Sequence, residues 1–380
     1  MNETTYETRH GPTDLEIPFS LVPDEAEEYL TDKQVFDYEN RREDFARWLM
    51  MFGKRPENIE GYSQATAKRI MYRVGYFERW VWQEQEGEYV PFPTTDHADA
   101  YMESLAYSDK SNSHKAGCQH ALKRYFRWRA YEFDHEEWEP QHTFSTDNTN
   151  QPRDYLSIEE RQKIRQAALE YGNLPYYQNY VPDEREQMKP YIADRVDKPV
   201  EAVSRDDWNG LTSWKFTSLV WTSLDAGLRP IEVNQASTEW IDTANAVLRI
   251  PADESSKNRD NWVVSVREDT AETLEEWLKE RRYVPMYDDT DALWLTQKGN
   301  RYKSQSLRRL IHRLCERAGI EYGNRKMSWY SIRHSVGTFM TREEDLAAAQ
   351  AQLRHKSPET TMKHDAAPVS DRRNALDRMG

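Results

Sequence analysis

Three short stretches carry residue types that donate to oxyanions. In Asp225-Ala226-Gly227-Leu228-Arg229-Pro230-Ile231-Glu232, Glu232 follows Arg229 by three residues. On a helix that spacing sets a carboxylate one turn from the guanidinium, where it could orient it. Gly227 suits a left-handed helix end and Pro230 a first helical position. Taken alone, the stretch also reads as a joint between two helices with a solvated Arg. Ser328-Trp329-Tyr330-Ser331-Ile332-Arg333-His334-Ser335 places Arg333 and His334 at a helix start, with Tyr330 one turn earlier. Alone, it is equally a capped helix with a surface Arg. In the third stretch, Leu353 to His364, His355 follows a helix that ends in Leu, and Thr360-Thr361 caps the next. A single His of this kind is often a satisfied ring or a surface one.

The order of the pieces says more than any one of them. Gly227-Leu228-Arg229-x-x-Glu232, then Lys257 in a β-rich hairpin, then Tyr330-x-x-Arg333-His334, then Leu353-Arg354-His355 resembles the tyrosine recombinase (phage integrase, Xer-like) family. That family carries a Gly-Leu-Arg-x-x-Glu box, a hairpin lysine, a His-x-x-Arg-His box, and a Leu-Gly-His box leading to a tyrosine nucleophile. Ala318-Gly319-Ile320 fits the run before the second box. The resemblance covers 157–380, and the helical 25–135 resembles the family's core-binding domain.

The resemblance implies strand breakage by attack on a DNA phosphodiester, leaving a 3′-phosphoprotein link and a free 5′-OH without metal or ATP. Arg229 and Arg333 would clamp the non-bridging oxygens with paired hydrogen bonds. Lys257 would be the general acid for the leaving oxygen, and His355 would donate to the scissile phosphate. Glu232 and His334 would position these groups. The expected partners are duplex DNA and three further copies of the chain, a homotetramer on paired sites, with no cofactor and no small-molecule substrate.

Two departures stand out. Tyr330 replaces the family's first His of the second box; a phenol still donates to phosphate but is a poorer base near neutral pH. His364 occupies the nucleophile position, nine residues after His355, and no Tyr follows Tyr330. Three readings follow: a degenerate copy that keeps DNA binding, a single Tyr→His change, or attack by the imidazole itself. The first makes the chain a catalytically inactive DNA-binding protein that occupies or regulates recombination sites.

The elements that must position these groups are mainly helical. Ile70, Val74, Phe77 and Val81 recur at helical spacing from Ser63 onward. Further helices are expected over 96–105 and 111–131, within a bundle spanning 26–135 after a leader over 1–25. Residues 136–155 read as a linker. Ser157-Ile158-Glu159-Glu160 is a capping-box pattern that opens the second domain, 156–380. Four prolines in 172–210 predict an irregular insertion. Val247–Ile250 and Trp262–Val266 predict a β-hairpin with a polar tip. Helices follow over 269–283, 304–318, 331–342 and 343–353. The fold class is mainly α with a small antiparallel sheet, an α+β arrangement of a helical DNA-binding domain and a catalytic domain.

Charge fits a polyanion partner only locally. Net charge is -14, yet 301–380 holds 16 Lys+Arg against 9 Asp+Glu. A second basic island at 108–130 includes Lys115, Lys123, Arg124 and Arg127, interleaved with Tyr125, Phe126 and Trp128. We expect those four basic residues to contact phosphates, although the same helix reads as an amphipathic one with solvated Arg. An acidic surface poor in Lys, with 17 Lys to 35 Arg, fits a halophilic host. No apolar run is long enough to span a bilayer, the N-terminal residues are polar, and two cysteines cannot build a disulfide framework. These features predict a soluble cytoplasmic protein.

Overall fold

The structure is a computed structural model that describes residues 16–144, 154–255, 260–362, 376, 377 and 379. The chain divides into two units, Met1–Thr149 and Asn150–Gly380.

The first unit is all helix: α1 (Asp24–Glu27), α2 (Asp32–Met51), α3 (Gln64–Trp80), α4 (Thr95–Tyr107) and α5 (Asn112–Phe133). The spacing read from α3 holds, since Ile70, Val74, Phe77 and Val81 are all buried. They meet Phe45, Trp48 and Leu49 of α2 and Leu122, Tyr125 and Phe126 of α5 in one core. Two expected boundaries fall inside this packing. Val22, from the expected leader, belongs to the core, with Ile17 and Phe19 packed against it. Trp138, from the expected linker, is buried there too and donates its indole N–H to Asp99. Isolated bulky side chains anchored segments whose average composition is polar.

The second unit contains α6 (Ile158–Leu169), α7 (Pro182–Val196), α8 (Arg205–Asn209), α9 (Trp214–Ala226) and α10 (Pro230–Gln235). Strands β1 (Ile241–Asp242), β2 (Val247–Ile250) and β3 (Trp262–Ser265) follow, then α11 (Glu268–Arg281), α12 (Ser304–Arg317), α13 (Trp329–Glu343), α14 (Leu346–Leu353) and α15 (Pro358–Met362). The capping box at the start of α6 forms as expected: Ser157 N–H donates to Glu160 (2.9 Å), and Glu160 N–H donates to Ser157 Oγ (3.1 Å). The sheet is antiparallel in the order β1-β2-β3, with Leu248 opposite Val264 and Ile250 opposite Trp262.

The insertion is more regular than its prolines suggest. Pro182 takes the first turn of α7, where a missing N–H costs nothing, and Pro190 lies inside that helix. Burial of Met188, Tyr191 and Ile192 on one face of α7 outweighs the lost hydrogen bond.

One joint matters most for the site. Gly227 ends α9 at φ +58°, and a Cβ there would lie 2.7 Å from Leu353 Cδ2. Only glycine both adopts that backbone and lets α14 approach so closely. Asp225 ties the same end of α9 to α6 and α11 by accepting from Arg165 Nη1 (2.9 Å) and from the Thr270 hydroxyl (2.5 Å). Gln352 Nε2 donates to the carbonyls of Asp225 (2.9 Å) and Ser265 (2.8 Å), joining α14 to α9 and β3.

Candidate functional site

Around this joint the chain gathers arginines far apart in sequence onto one carboxylate. Arg229 precedes α10 and Glu232 lies one turn into it, so the short helix fixes their spacing. Arg229 Nη1 donates to Glu232 Oε1 (2.5 Å), and Glu232 Oε2 accepts the Arg229 backbone N–H (2.7 Å). Arg333 enters from α13 and donates Nη1 to the Gly227 carbonyl (2.7 Å). Its Nη2 donates to the Leu353 carbonyl, and Arg229 Nη2 reaches the same oxygen at 3.4 Å. Two arginines separated by more than a hundred residues therefore share one backbone acceptor at the end of α14.

The third guanidinium is that of Arg354. It donates Nη2 to Glu232 Oε2 (2.8 Å) and Nε to Glu232 Oε1 (3.2 Å). Further bonds run to the carbonyls of Ala226 (2.9 Å) and Gln352 (2.7 Å). The side chain is 1% exposed, and its backbone is left-handed, with φ 55°. A non-glycine residue there costs on the order of 1–2 kcal/mol, which the bonds to Glu232 offset.

Three buried guanidiniums against one carboxylate leave an excess of positive charge. Burial alone would raise the Glu232 carboxyl pKa, but Arg354, then Arg229 and Arg333, hold it down at about 2. Arg333 is pushed well below the usual guanidinium range by burial and by the like charges of Arg229 and Arg354. An arriving anion would relieve that repulsion.

The other expected site residues fall as follows. His355 is buried next to Arg354, its Nδ1 within 3.0 Å of Thr361 Oγ1. Tyr330 is 43% exposed and its ring stacks 6.1 Å from the ring of His334. Lys257 and His364 lie outside the described residues. In the first unit, Lys115 is buried and donates Nζ to the Ala106 carbonyl (3.0 Å), which takes it away from the outer surface. Lys123 pairs with Glu139 (2.9 Å), Arg124 donates to the Tyr62 hydroxyl (2.8 Å), and Arg127 lies 4.0 Å from Glu57. Tyr125, Phe126 and Trp128 are core residues.

Two features went unnoticed in the sequence. Arg354 stands where the resemblance expects glycine, and an Arg at a helix end before His was the available signal. The second is the face of α12. Leu307, Leu310, Ile311 and Leu314 are buried, while Arg308, Arg309 and Arg313 point outward. The run Leu-Arg-Arg-Leu-Ile-His-Arg-Leu held that alternation in plain view. Asn234 of α10 donates to the Tyr302 carbonyl just before α12 (2.8 Å), so this basic face is anchored to the element that carries Glu232.

Residues 212–367 match the phage integrase family. No curated protein sequence matches the chain. Among solved structures, the XerH site-specific recombinase bound to its difH substrate in a pre-cleavage complex is similar over 91% of this chain and 88% of its own, at 16% identity and TM-score 0.53. The post-cleavage complex of XerH on a palindromic difH substrate matches over 92% and 89%, at 16% identity and TM-score 0.54. These likenesses establish the fold alone, mainly helical with a small antiparallel sheet, as that of the XerH structures. The guanidinium cluster lies wholly within the span matched to the integrase family. No described helix is long and apolar enough to cross a membrane.

Proposed function

We propose that the chain acts in site-specific DNA recombination, gripping a backbone phosphate of duplex DNA at the Arg229–Arg333 cluster. The observation that carries this reading is the excess of buried guanidinium charge on Glu232, in an integrase-family domain and beside an outward basic helix. A buried surplus of cations needs a counter-anion, and guanidinium pairs fit phosphate oxygens. Arg229 and Arg333 stabilise the charge that develops on the phosphate, and His355, steadied by Thr361, supplies a further donor. Glu232 and Arg354 hold the two arginines in place. Lys257 is assigned to the leaving 5′-oxygen, and Tyr330 and His334 flank the site. Arg308 and Arg309 of α12 take phosphates next to the one gripped, and Lys123, Arg124 and Arg127 of the first unit bind duplex DNA phosphates as well. Four copies on two paired sites carry out the exchange.

Breaking and rejoining proceed through a covalent 3′-phosphoprotein at position 364. One observation favours a second reading, in which the chain occupies recombination sites without cutting them: that position holds His, not Tyr.

A nicked suicide substrate, built on a duplex that the protein selects from a random library, separates the two. An adduct with the native chain establishes the enzyme and identifies imidazole attack. An adduct only with His364→Tyr establishes a sound phosphate site lacking its nucleophile, the site-occupying reading. If neither form is trapped and binding is insensitive to salt, the phosphate clamp itself is wrong.

A further inference from the structure

A second polar site lies at the other end of α9. Lys215, in the first turn of that helix, lines a cavity of about 710 Å³ between the insertion, α9 and the segment after α11. That volume falls in the range of about 300–1,000 Å³ usual for small-molecule pockets. Lys215 and Gly227 are separated by about 18 Å along the helix axis, at a rise of about 1.5 Å per residue. The cavity is thus remote from the guanidinium cluster.

Its lining is aromatic with few charges. Phe216 and Tyr176 contribute ring surface, and the Lys215 ammonium sits 4.8 Å over the Phe216 ring. That ammonium makes no hydrogen bond or ion pair with any described residue. Glu280 is committed elsewhere: it accepts from the Ser213 hydroxyl, from Trp214 N–H (2.9 Å) and from the Tyr191 hydroxyl (3.0 Å). Glu184 accepts the Val181 N–H that opens α7 (2.9 Å). Tyr180 also lines the cavity, and it is 6% exposed with a buried hydroxyl that has no hydrogen-bond partner among the described residues. The Lys215 ammonium therefore borders the cavity without an acceptor, whereas the Tyr180 hydroxyl is sealed behind its wall. A cation that faces a cavity without an acceptor is a ready partner for an anionic ligand group.

We propose that this cavity binds a small aromatic monocarboxylate, its ring against Phe216 and its carboxylate on Lys215. A single lysine in the lining matches one carboxylate and leaves the further charges of a nucleotide or DNA unpaired. Burial holds the Lys215 amine down at about 8, with only the charge of Glu280 opposing, and a bound carboxylate would raise it again.

Titration calorimetry of the full chain with indole-3-acetate as probe tests the assignment. We expect one saturable site, retained in Lys215→Arg and weakened about tenfold in Lys215→Met, the loss of one charge-assisted bond. ATP should not compete. On the native chain, trinitrobenzenesulfonate at mildly alkaline pH should modify Lys215 ahead of the surface lysines, and the probe should protect it, as read by peptide mass spectrometry. Lack of saturation at millimolar probe, equal affinity in Lys215→Met, or displacement by ATP overturns the proposal. Should Lys215→Met fail to fold, absence of protection on the native chain overturns it equally.

Discussion

Arg354 is the residue that most changes the picture of the site. Its guanidinium bonds both oxygens of Glu232, so removing it strands a buried carboxylate with fewer donors. We expect Arg354→Ala to destabilise the second unit by about 3 kcal/mol, measured by urea unfolding. Arg354→Gly should cost less, because glycine relieves the left-handed backbone. Glu232 sets an acid limit. Its carboxyl stays ionised down to about 2, against an ordinary 4.5, so the stabilisation it gives is present above 4.5 and is lost as pH falls toward 2. In Glu232→Gln the decline of stability across that window should flatten, as a series of unfolding curves would reveal. Of the site itself, Arg229, Glu232, Arg333 and His355 were legible because their order matched known boxes. Arg354 was not, since a box is read by its matching letters and the mismatched one passes unnoticed.

Elements explain why the matching letters meet. The close approach of Gly227 to Leu353 brings α9 and α14 together and presents the Leu353 carbonyl to both arginines. A Cβ at 227 would force both the backbone and α14 to shift, so Gly227→Ala should cost about 2 kcal/mol and weaken DNA binding at the same time. The α12 face should act differently. Reversing charge at Arg308 and Arg309 leaves the core face of the helix untouched. The double change to Glu should lower affinity for all duplexes alike and reduce the slope of log affinity against log salt by about two, one for each phosphate no longer neutralised. Helices with strong apolar periodicity, such as α3, were readable in the sequence, as was the β2–β3 hairpin. Helix α7 was not, because its prolines argue locally for a loop and the apolar face that overrides them is satisfied only by distant partners such as Glu280 on Tyr191.

At the scale of the molecule, two cores with their own aromatic clusters divide the chain. Each unit has a core of its own, as an independently folding domain requires. Fragments 16–144 and 154–380, expressed apart, should each give a cooperative thermal transition by circular dichroism; a fragment that melts without cooperativity would deny its independence. The limits of the first core were hard to read because Val22 and Trp138 are single anchors in polar stretches. Composition averages over a window, whereas one bulky ring suffices to fasten it.

The sharing of Glu232 among three arginines has a consequence for how such a site can drift over generations. A substitution at 354 alters the charge felt at 229 and 333, so its effect depends on the state of its neighbours. Replacement by glycine would free the backbone yet leave the acid underpaired, while loss of the acid would leave three like charges crowded together. Paths to a different constellation must therefore move in pairs, and a double-mutant cycle between 232 and 354 should yield a coupling larger than either backbone strain or side-chain volume alone would give.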